Sequence, residues 1–447
     1  METVDKEAKK RRKEARHKSK RIFLERKSTR SENWLGLDNA ALIYPAIATS
    51  EWSAVYRFSA YLYKEVVPEA LQQALNVVLP RFPSLNVYIR RGLFWFYFEQ
   101  LTHTPTVKPE TANVCKNIAF RPNRALFRVR YHNNKITLEC FHALTDGVGS
   151  SNFFTCLIAK YLQLTGENVD ISECPINILD KPDAEELEDS FERYADFVKC
   201  NARKEEGAYQ IPGTETERLN AIIGVMSASA LNAVAKGLNC TITQLLIAAY
   251  AKALLNYSDW RRNRKLPIKI SVPINCRAFL PSQTQRNFSS YINLIFRPGE
   301  NASTIEELIG SIKDQMSVIN ADYLIANINS NVKAQKNPIV RIMPLAIKNA
   351  ILKIVFRNFG ENLFTTAISN LGRVKVPSSF NGLVDRYEAM LGRGVKNTIN
   401  CGCVTVNDKL SISFTSKIGE TRIQRDFFRF LSSLGVDITI TSNLLEV

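Results

Sequence analysis

Residues 53–63 (SAVYRFSAYLY) alternate apolar and polar side chains over most of their length, the period-two pattern of a half-buried strand. The period then changes. Residues 68–83 (PEALQQALNVVLPRFP) open on a proline and place leucines at 71, 75 and 79, one face of a helix that ends at prolines. Residues 84–100 predict two strands around the turn Arg91-Gly92, and residues 125–141 a second hairpin with Asn133-Asn134 at its tip. Residues 150–166 are helical, closed by Gly166. After an acidic, weakly periodic stretch, residues 227–257 predict two helices, the second apolar. Residues 266–279 form a strand leading into a loop, 289–298 another strand and 305–320 a helix. Residues 341–356 (RIMPLAIKNAILKIVF) are basic and apolar; a core-facing helix is expected, with an acyl channel or a membrane surface as alternatives. Strand then loop follows at 365–377, a hairpin around Asn407-Asp408 at 401–417, and a closing helix from about 424 to 434. Each half mixes strands and helices, with hairpins instead of strict βαβ alternation, so the fold class is α+β with two layered units built on mixed sheets.

Composition sets the boundaries. The chain has 447 residues, 45% of them hydrophobic, enough for two or three domains with cores of their own. The formal net charge is +16, and half of it lies in the first thirty residues, which carry few apolar side chains. Such a segment cannot offset its ordering entropy by burial. Residues 1–32 are therefore expected to be a basic tail, disordered or a solvated helix, able to touch an anionic membrane or RNA as an accessory contact, with no obligate nucleic acid. The expected division continues with 33–166 as an N-terminal subdomain, 167–215 as a crossover linker and 216–447 as a C-terminal subdomain. No apolar run is long enough to span a membrane, and the charged N-terminus does not resemble a secretory signal. Nine cysteines at irregular spacings argue against a disulfide framework and for a reducing compartment, so a cytoplasmic location is expected, with a peripheral membrane position open. The one close pair, Cys401 and Cys403, lacks a second pair to complete a zinc site, and no metal is expected.

The chemistry concentrates in FHALTDGVGS, residues 141–150. His142, one of four histidines, stands at the end of a predicted strand, four residues before Asp146-Gly147 and just ahead of a helix. A neutral imidazole at cell pH can accept a proton, and Gly147 and Gly149 permit backbone conformations that other residues resist. The spacing His142-x-x-x-Asp146-Gly147 resembles the HxxxDG signature of the CoA-dependent acyltransferase superfamily, which includes chloramphenicol acetyltransferase, condensation domains and plant BAHD enzymes. The order of elements before it, RFPSL at 81–85, SVPINCRAF at 271–279, RNFSSYINLIF at 286–296 and ISNLG at 368–372 are similar to further parts of that superfamily. The SNLG element and the segment WLGLDNAALIYPA at 34–46 resemble its bacterial alcohol acetyltransferase-like branch. The first of the paired histidines common in the superfamily is Phe141 here, and the plant DFGWG motif is missing.

The resemblance implies two chloramphenicol-acetyltransferase-like subdomains facing each other across an active-site tunnel. It implies that His142 is the general base and that Asp146 forms a structural salt bridge to Arg277, for which a bidentate fork is expected. Ser369 and Asn370 are candidates for binding the oxyanion. The expected reaction moves an acetyl or a short to medium acyl group from acyl-CoA, a co-substrate with no permanently bound cofactor, to a small-molecule alcohol. The residues that bind CoA cannot be selected from sequence. Three alternatives stay open: an acyl carrier protein as thioester donor, an amine acceptor, or a binding module without catalysis. A serine hydrolase using Ser150 or Ser151 is disfavoured because no G-x-S-x-G elbow exists.

Overall fold

The computed structural model describes residues 34–49, 52–196, 206–257, 266–297, 304–356 and 360–443. The expectation for the basic tail lies outside the described residues. The backbone divides into the units Met1–Leu35 and Gly36–Val447, and the elements below belong to the second.

The N-terminal part runs α1 (Ile43–Ile47), β1 (Val55–Leu62), α2 (Pro68–Val78), the hairpin β2 (Val87–Arg91) and β3 (Phe96–Gln100), the hairpin β4 (Phe127–His132) and β5 (Lys135–Phe141), then α3 (Gly147–Leu164). The C-terminal part runs β6 (Glu215–Ser227), α4 (Ala228–Gly237), α5 (Ile242–Leu255), β7 (Ile268–Asn275), β8 (Ser289–Phe296), α6 (Ile305–Met316), α7 (Ala321–Lys336), α8 (Pro338–Ile342) and α9 (Leu345–Val355). It closes with β9 (Thr366–Arg373), β10 (Val384–Met390), β11 (Ile399–Val406), β12 (Lys409–Ile418), α10 (Arg422–Ser433) and β13 (Thr439–Ser442).

A seven-stranded sheet has the order β8-β7-β9-β11-β12-β6-β13. It is mixed: β9 runs parallel to β7 and β11, and the other pairs are antiparallel. Thr241 and Gln244 close a capping box at the start of α5, which then buries nearly every side chain between the sheet and its neighbours. Tyr250 of α5, Phe414 of β12 and Phe427 of α10 meet edge to face, with centroids 5.0–6.1 Å apart. Fully burying one such ring stabilises by about 1.5–3 kcal/mol.

The five-stranded sheet places β10 beside β1, followed by β5, β4 and the short strand Lys108–Pro109. Thus β10, from late in the chain, completes the sheet of the N-terminal part, pairing antiparallel with β1 along Val384–Met390. That position explains a departure from the alternating pattern of residues 53–63. In place of one solvated face, β1 is buried on nearly all of its length. Phe58 packs against Phe154 of α3 on one side. On the other side Arg57 is paired with Glu110 and Glu139, and Glu139 also takes Arg128 and the backbone N–H of Cys115. A buried polar face is tolerated because its charges are paired.

The segment 341–356 also departs from expectation. Pro344 interrupts it, so α8 and α9 are separate short helices, and only Leu345 and Lys348 of α9 are buried. The helix lies against α1 instead of entering a core layer. No single helix among the described residues is long and apolar enough to cross a membrane.

Candidate active site

The site forms where the loop after β5 meets the loop between β7 and β8. Asp146 is the N-cap of α3 in extended conformation, and its Oδ1 accepts the N–H groups of Val148 and Gly149, both at 3.1 Å. Its Oδ2 accepts Arg277 Nη1 at 2.7 Å and the N–H of Phe288 at 2.8 Å. Burial alone would raise this carboxyl. The Arg277 charge and these hydrogen bonds outweigh burial and hold it below the ordinary carboxylate range.

The bidentate fork expected for Arg277 is replaced by a single contact to Asp146. Nη1 also donates to Asn275 Oδ1 at 3.3 Å, while Nε and Nη2 donate to backbone, both to Thr284 O at 3.1 and 2.9 Å, and Nη2 to Arg286 O at 2.6 Å. Arg277 therefore holds both the carboxylate and the loop that carries Asn287. The glycines play a different part from the one expected. Neither Gly147 nor Gly149 has a positive φ. Room is what they provide: a Cβ on Gly149 would lie 2.2 Å from Gln285 O, and one on Gly147 would lie 2.6 Å from Leu371 Cδ2. Both contacts join the loop after β5 to the C-terminal part, the second through SNLG.

His142 is half-buried, and its N–H donates to Ala54 O at 2.8 Å. Its ring stacks on Tyr44 of α1 with centroids 4.7 Å apart, and Tyr56 of β1 meets it edge-on at 5.1 Å. The Tyr56 hydroxyl donates to Thr145 O at 3.0 Å, which fixes that tyrosine. Nδ1 of His142 lies 3.1 Å from Asn287 Oδ1. Asn287 Nδ2 in turn donates to Asp38 Oδ2 at 3.1 Å, so the amide turns its oxygen toward the imidazole. A carbonyl oxygen can only accept, so the ring proton belongs on Nδ1 and the Nε2 lone pair is available.

Asp38 is fully buried and sits beside Arg286 at 3.5 Å, with Asp189 close by. Burial raises both carboxyls. Arg286 opposes this at both without cancelling it, and Asp189, which also feels the charge of Asp38, is pushed up to about 7.

The sequence candidates separate by position. His142, Asp146, Gly147 and Arg277 come together within one hydrogen-bonded loop system. On β9, Ile368 and Thr366 face the helical side, where Thr366 Oγ1 meets the Tyr250 hydroxyl at 2.7 Å. Asn370 shares that face: its Nδ2 donates to Thr243 Oγ1 and its Oδ1 accepts Gly372 N. Ser369 lies on the opposite face with Leu371, the side chain that abuts Gly147. Ser150 and Ser151 donate their hydroxyls to the carbonyls of Asp146 and Val148 in their own helical turn, an arrangement unlike a serine–histidine pair. Sequence reasoning missed Asp38, Tyr44, Tyr56 and Asn287, although Asp38, Tyr44 and Asn287 lie inside segments singled out for their resemblance.

Comparison of the backbone with solved structures places this geometry. The first condensation domain of the CDA synthetase superposes with a TM-score of 0.57 at 14% identity, covering 90% of this chain and 96% of that one. The chain has the fold of that condensation domain. Polyketide synthase associated protein 5 from Mycobacterium tuberculosis matches with a TM-score of 0.53 at 14% identity over 90% of this chain and 97% of that one. The starter condensation domain of rhizomide synthetase, solved in complex with C8-CoA, gives 0.54 at 16% identity over 90% and 95%. No protein-family model matches the chain, and no curated protein sequence does. In this α+β condensation-domain fold, the His142 loop joins the N-terminal part to the loop that follows β7.

Proposed function

We propose that the chain is an acyltransferase that moves an acyl group from acyl-CoA to an alcohol hydroxyl by direct attack, with His142 as general base. The observation that carries this reading is the Asn287 oxygen at 3.1 Å from Nδ1, which leaves Nε2 as the proton acceptor. Nε2 takes the proton of the acceptor hydroxyl as that oxygen attacks the thioester carbonyl. The tetrahedral intermediate collapses with cleavage of the C–S bond, and the proton passes to the departing CoA thiolate. No acyl-enzyme is needed, because the thioester is already activated. A positioned base supplies roughly 10²–10⁴ in rate, and holding both substrates together supplies a further share. Ser369 is the better placed of the two oxyanion candidates, since the amide of Asn370 is engaged on the other face of β9.

In this reading Asp146 and Arg277 position the loop and take no part in proton transfer. The chemistry needs no permanently bound cofactor or metal, and acetyl or short to medium acyl chains are the donors to test first. A cytoplasmic location fits eight free cysteines among the described residues. A second reading takes the thioester from an acidic acyl carrier protein docked on the basic surface, and it draws support from the condensation domains among the similar structures. Calorimetry with free CoA separates the two donors.

The test is release of free thiol from acetyl-CoA in the presence of an alcohol panel. The wild-type chain should release thiol with at least one alcohol, and His142→Ala should lower the rate by about 10²–10⁴. Equal rates for the two proteins would end the proposal.

A further inference from the structure

The outer face of α9 is apolar and uncovered. Ile347, Ile351, Ile354 and Val355 stand at i, i+4, i+7 and i+8 on one side of the helix, each between 44% and 61% exposed. Ile342 of α8 and Leu93 of the β2–β3 turn, both 72% exposed, continue the same surface, because Leu345 N donates to Leu93 O at the junction. Scattered apolar side chains on a surface mean little, but a contiguous patch marks a contact. A groove of about 490 Å³ opens beside it, lined by Phe94, Trp95, Pro338, Arg341 and Ile342.

Charge indicates the occupant. Between Asp322 and Glu361 the chain has no acidic residue and six basic ones, at 333, 336, 341, 348, 353 and 357. Lys348 turns inward, with its Nζ 3.2 Å from the Trp95 ring centroid and donating to Phe94 O at 2.9 Å. Lys353 and Arg341 are exposed on the same two helices. A second copy of the chain would bring an equally basic face against this one. An anionic bilayer satisfies both features at once: isoleucines enter the interface and the cations meet the headgroups.

The patch leads to the active site. Phe356, at the end of α9, packs on Trp52 at 5.0 Å; Trp52 stacks on Tyr44 at 6.0 Å, and Tyr44 stacks on His142 at 4.7 Å. An aromatic series thus runs from the exposed helix to the imidazole. We infer that α8, α9 and the β2–β3 turn dock on an anionic lipid surface and turn the His142 site toward it. The docking stands on the surface alone; that the site draws an apolar substrate from the lipid rests on the acyl-transfer reading.

The test is co-sedimentation of the full chain with phosphatidylcholine vesicles containing phosphatidylglycerol, against pure phosphatidylcholine vesicles, with Ile351→Glu/Ile354→Glu as the variant. Both side chains are exposed, so the melting temperature should hold. Wild type should bind the anionic vesicles, and the double variant should bind at least about tenfold more weakly. Equal binding by the two proteins would place the contact elsewhere, such as residues 1–30, and overturn the inference. Absence of wild-type binding overturns it too, as does a dimer in gel filtration that the double variant disperses. His142→Ala should bind vesicles like wild type, and the double variant should release thiol normally with a water-soluble alcohol. Failure of docking and failure of acyl transfer are thereby read separately.

Discussion

Two buried carboxylates flank the His142 loop, each near one arginine, and they differ in kind. Asp146 receives four donors: two N–H groups of a helix N-terminus, one from Phe288, and Arg277 at 2.7 Å. Its carboxyl is held low. Asp38 accepts the N–H groups of Ala41 and Asn287 and the Asn287 amide, but it shares Arg286, at 3.5 Å, with the half-buried Asp189, so two carboxyls face one guanidinium. The first region is over-determined and rigid; the second carries excess negative charge and titrates. The softer region is the one joined to the imidazole, through Asn287. Fixing the loop and orienting the base are separate tasks given to separate carboxylates.

Breaking the rigid region should have the largest effect. Asp146→Ala leaves Arg277 without its carboxylate and strips the cap from α3, and we expect a loss of about 3–5 kcal/mol in urea unfolding. A loss below about 1 kcal/mol would mean that the pair is not the joint described here. Gly149→Ala comes next. Its methyl would meet Gln285 O, backbone that cannot swing aside, so the two loops must separate. Overpacking of this kind costs about 1–3 kcal/mol, and a melting temperature equal to that of wild type would refute the close approach.

The rigid region was also the legible one. His142, Asp146 and Gly147 are neighbours in sequence, and a strand end followed by a capped helix fixes their geometry locally. The helix 150–166 was recognised, although its start moves back to Gly147 because Asp146 supplies the cap. Arg277 was reached through resemblance alone. Asp38 and Asn287 are 249 residues apart and meet only after the two sheets pack, so no local pattern links them. β10 escaped for a similar reason. VDRYEAM shows no clean alternation because Glu388 is buried against Arg386, and its partner strand lies early in the chain. α7 was legible and missed: Leu324, Ile328 and Val332 recur every four residues and are buried, within an otherwise polar sequence.

Removing the link between the two regions sharpens the comparison. Asn287→Leu keeps the branched outline of the side chain but deletes both the acceptor that holds the Nδ1 proton and the donor to Asp38. We expect thiol release to fall about 10–100-fold in kcat, with KM for acetyl-CoA little changed, because the effect lies in the orientation of the base. Loss of the Asp38 contact should lower the melting temperature in either case, so a kcat of the folded fraction equal to that of wild type would mark Asn287 as purely structural.

The smallest effect concerns the soft region and is a slope. Asp189 is pushed up to about 7 when folded and has an ordinary carboxyl value near 4 when unfolded. Between those values the folded state binds more protons than the unfolded state, so this group lowers stability as pH rises from about 4 to about 7. Its contribution is most favourable below the unfolded value and is lost as pH climbs through the folded one. At most one proton is involved, which limits the slope to about 1.4 kcal/mol per pH unit. Asp146 has the opposite sign: its contribution is present above the unfolded value and is lost only under acid conditions. Urea unfolding of wild type and Asp189→Asn between pH 5 and 7.5 isolates the first term, since asparagine still caps the short helix Ser190–Tyr194 but cannot titrate. The wild type should lose stability relative to the variant as pH rises, whatever the offset between them. Parallel curves would show that Asp38 and Asp189 do not compete for Arg286, and the contrast between the two carboxylate regions would then be one of geometry alone.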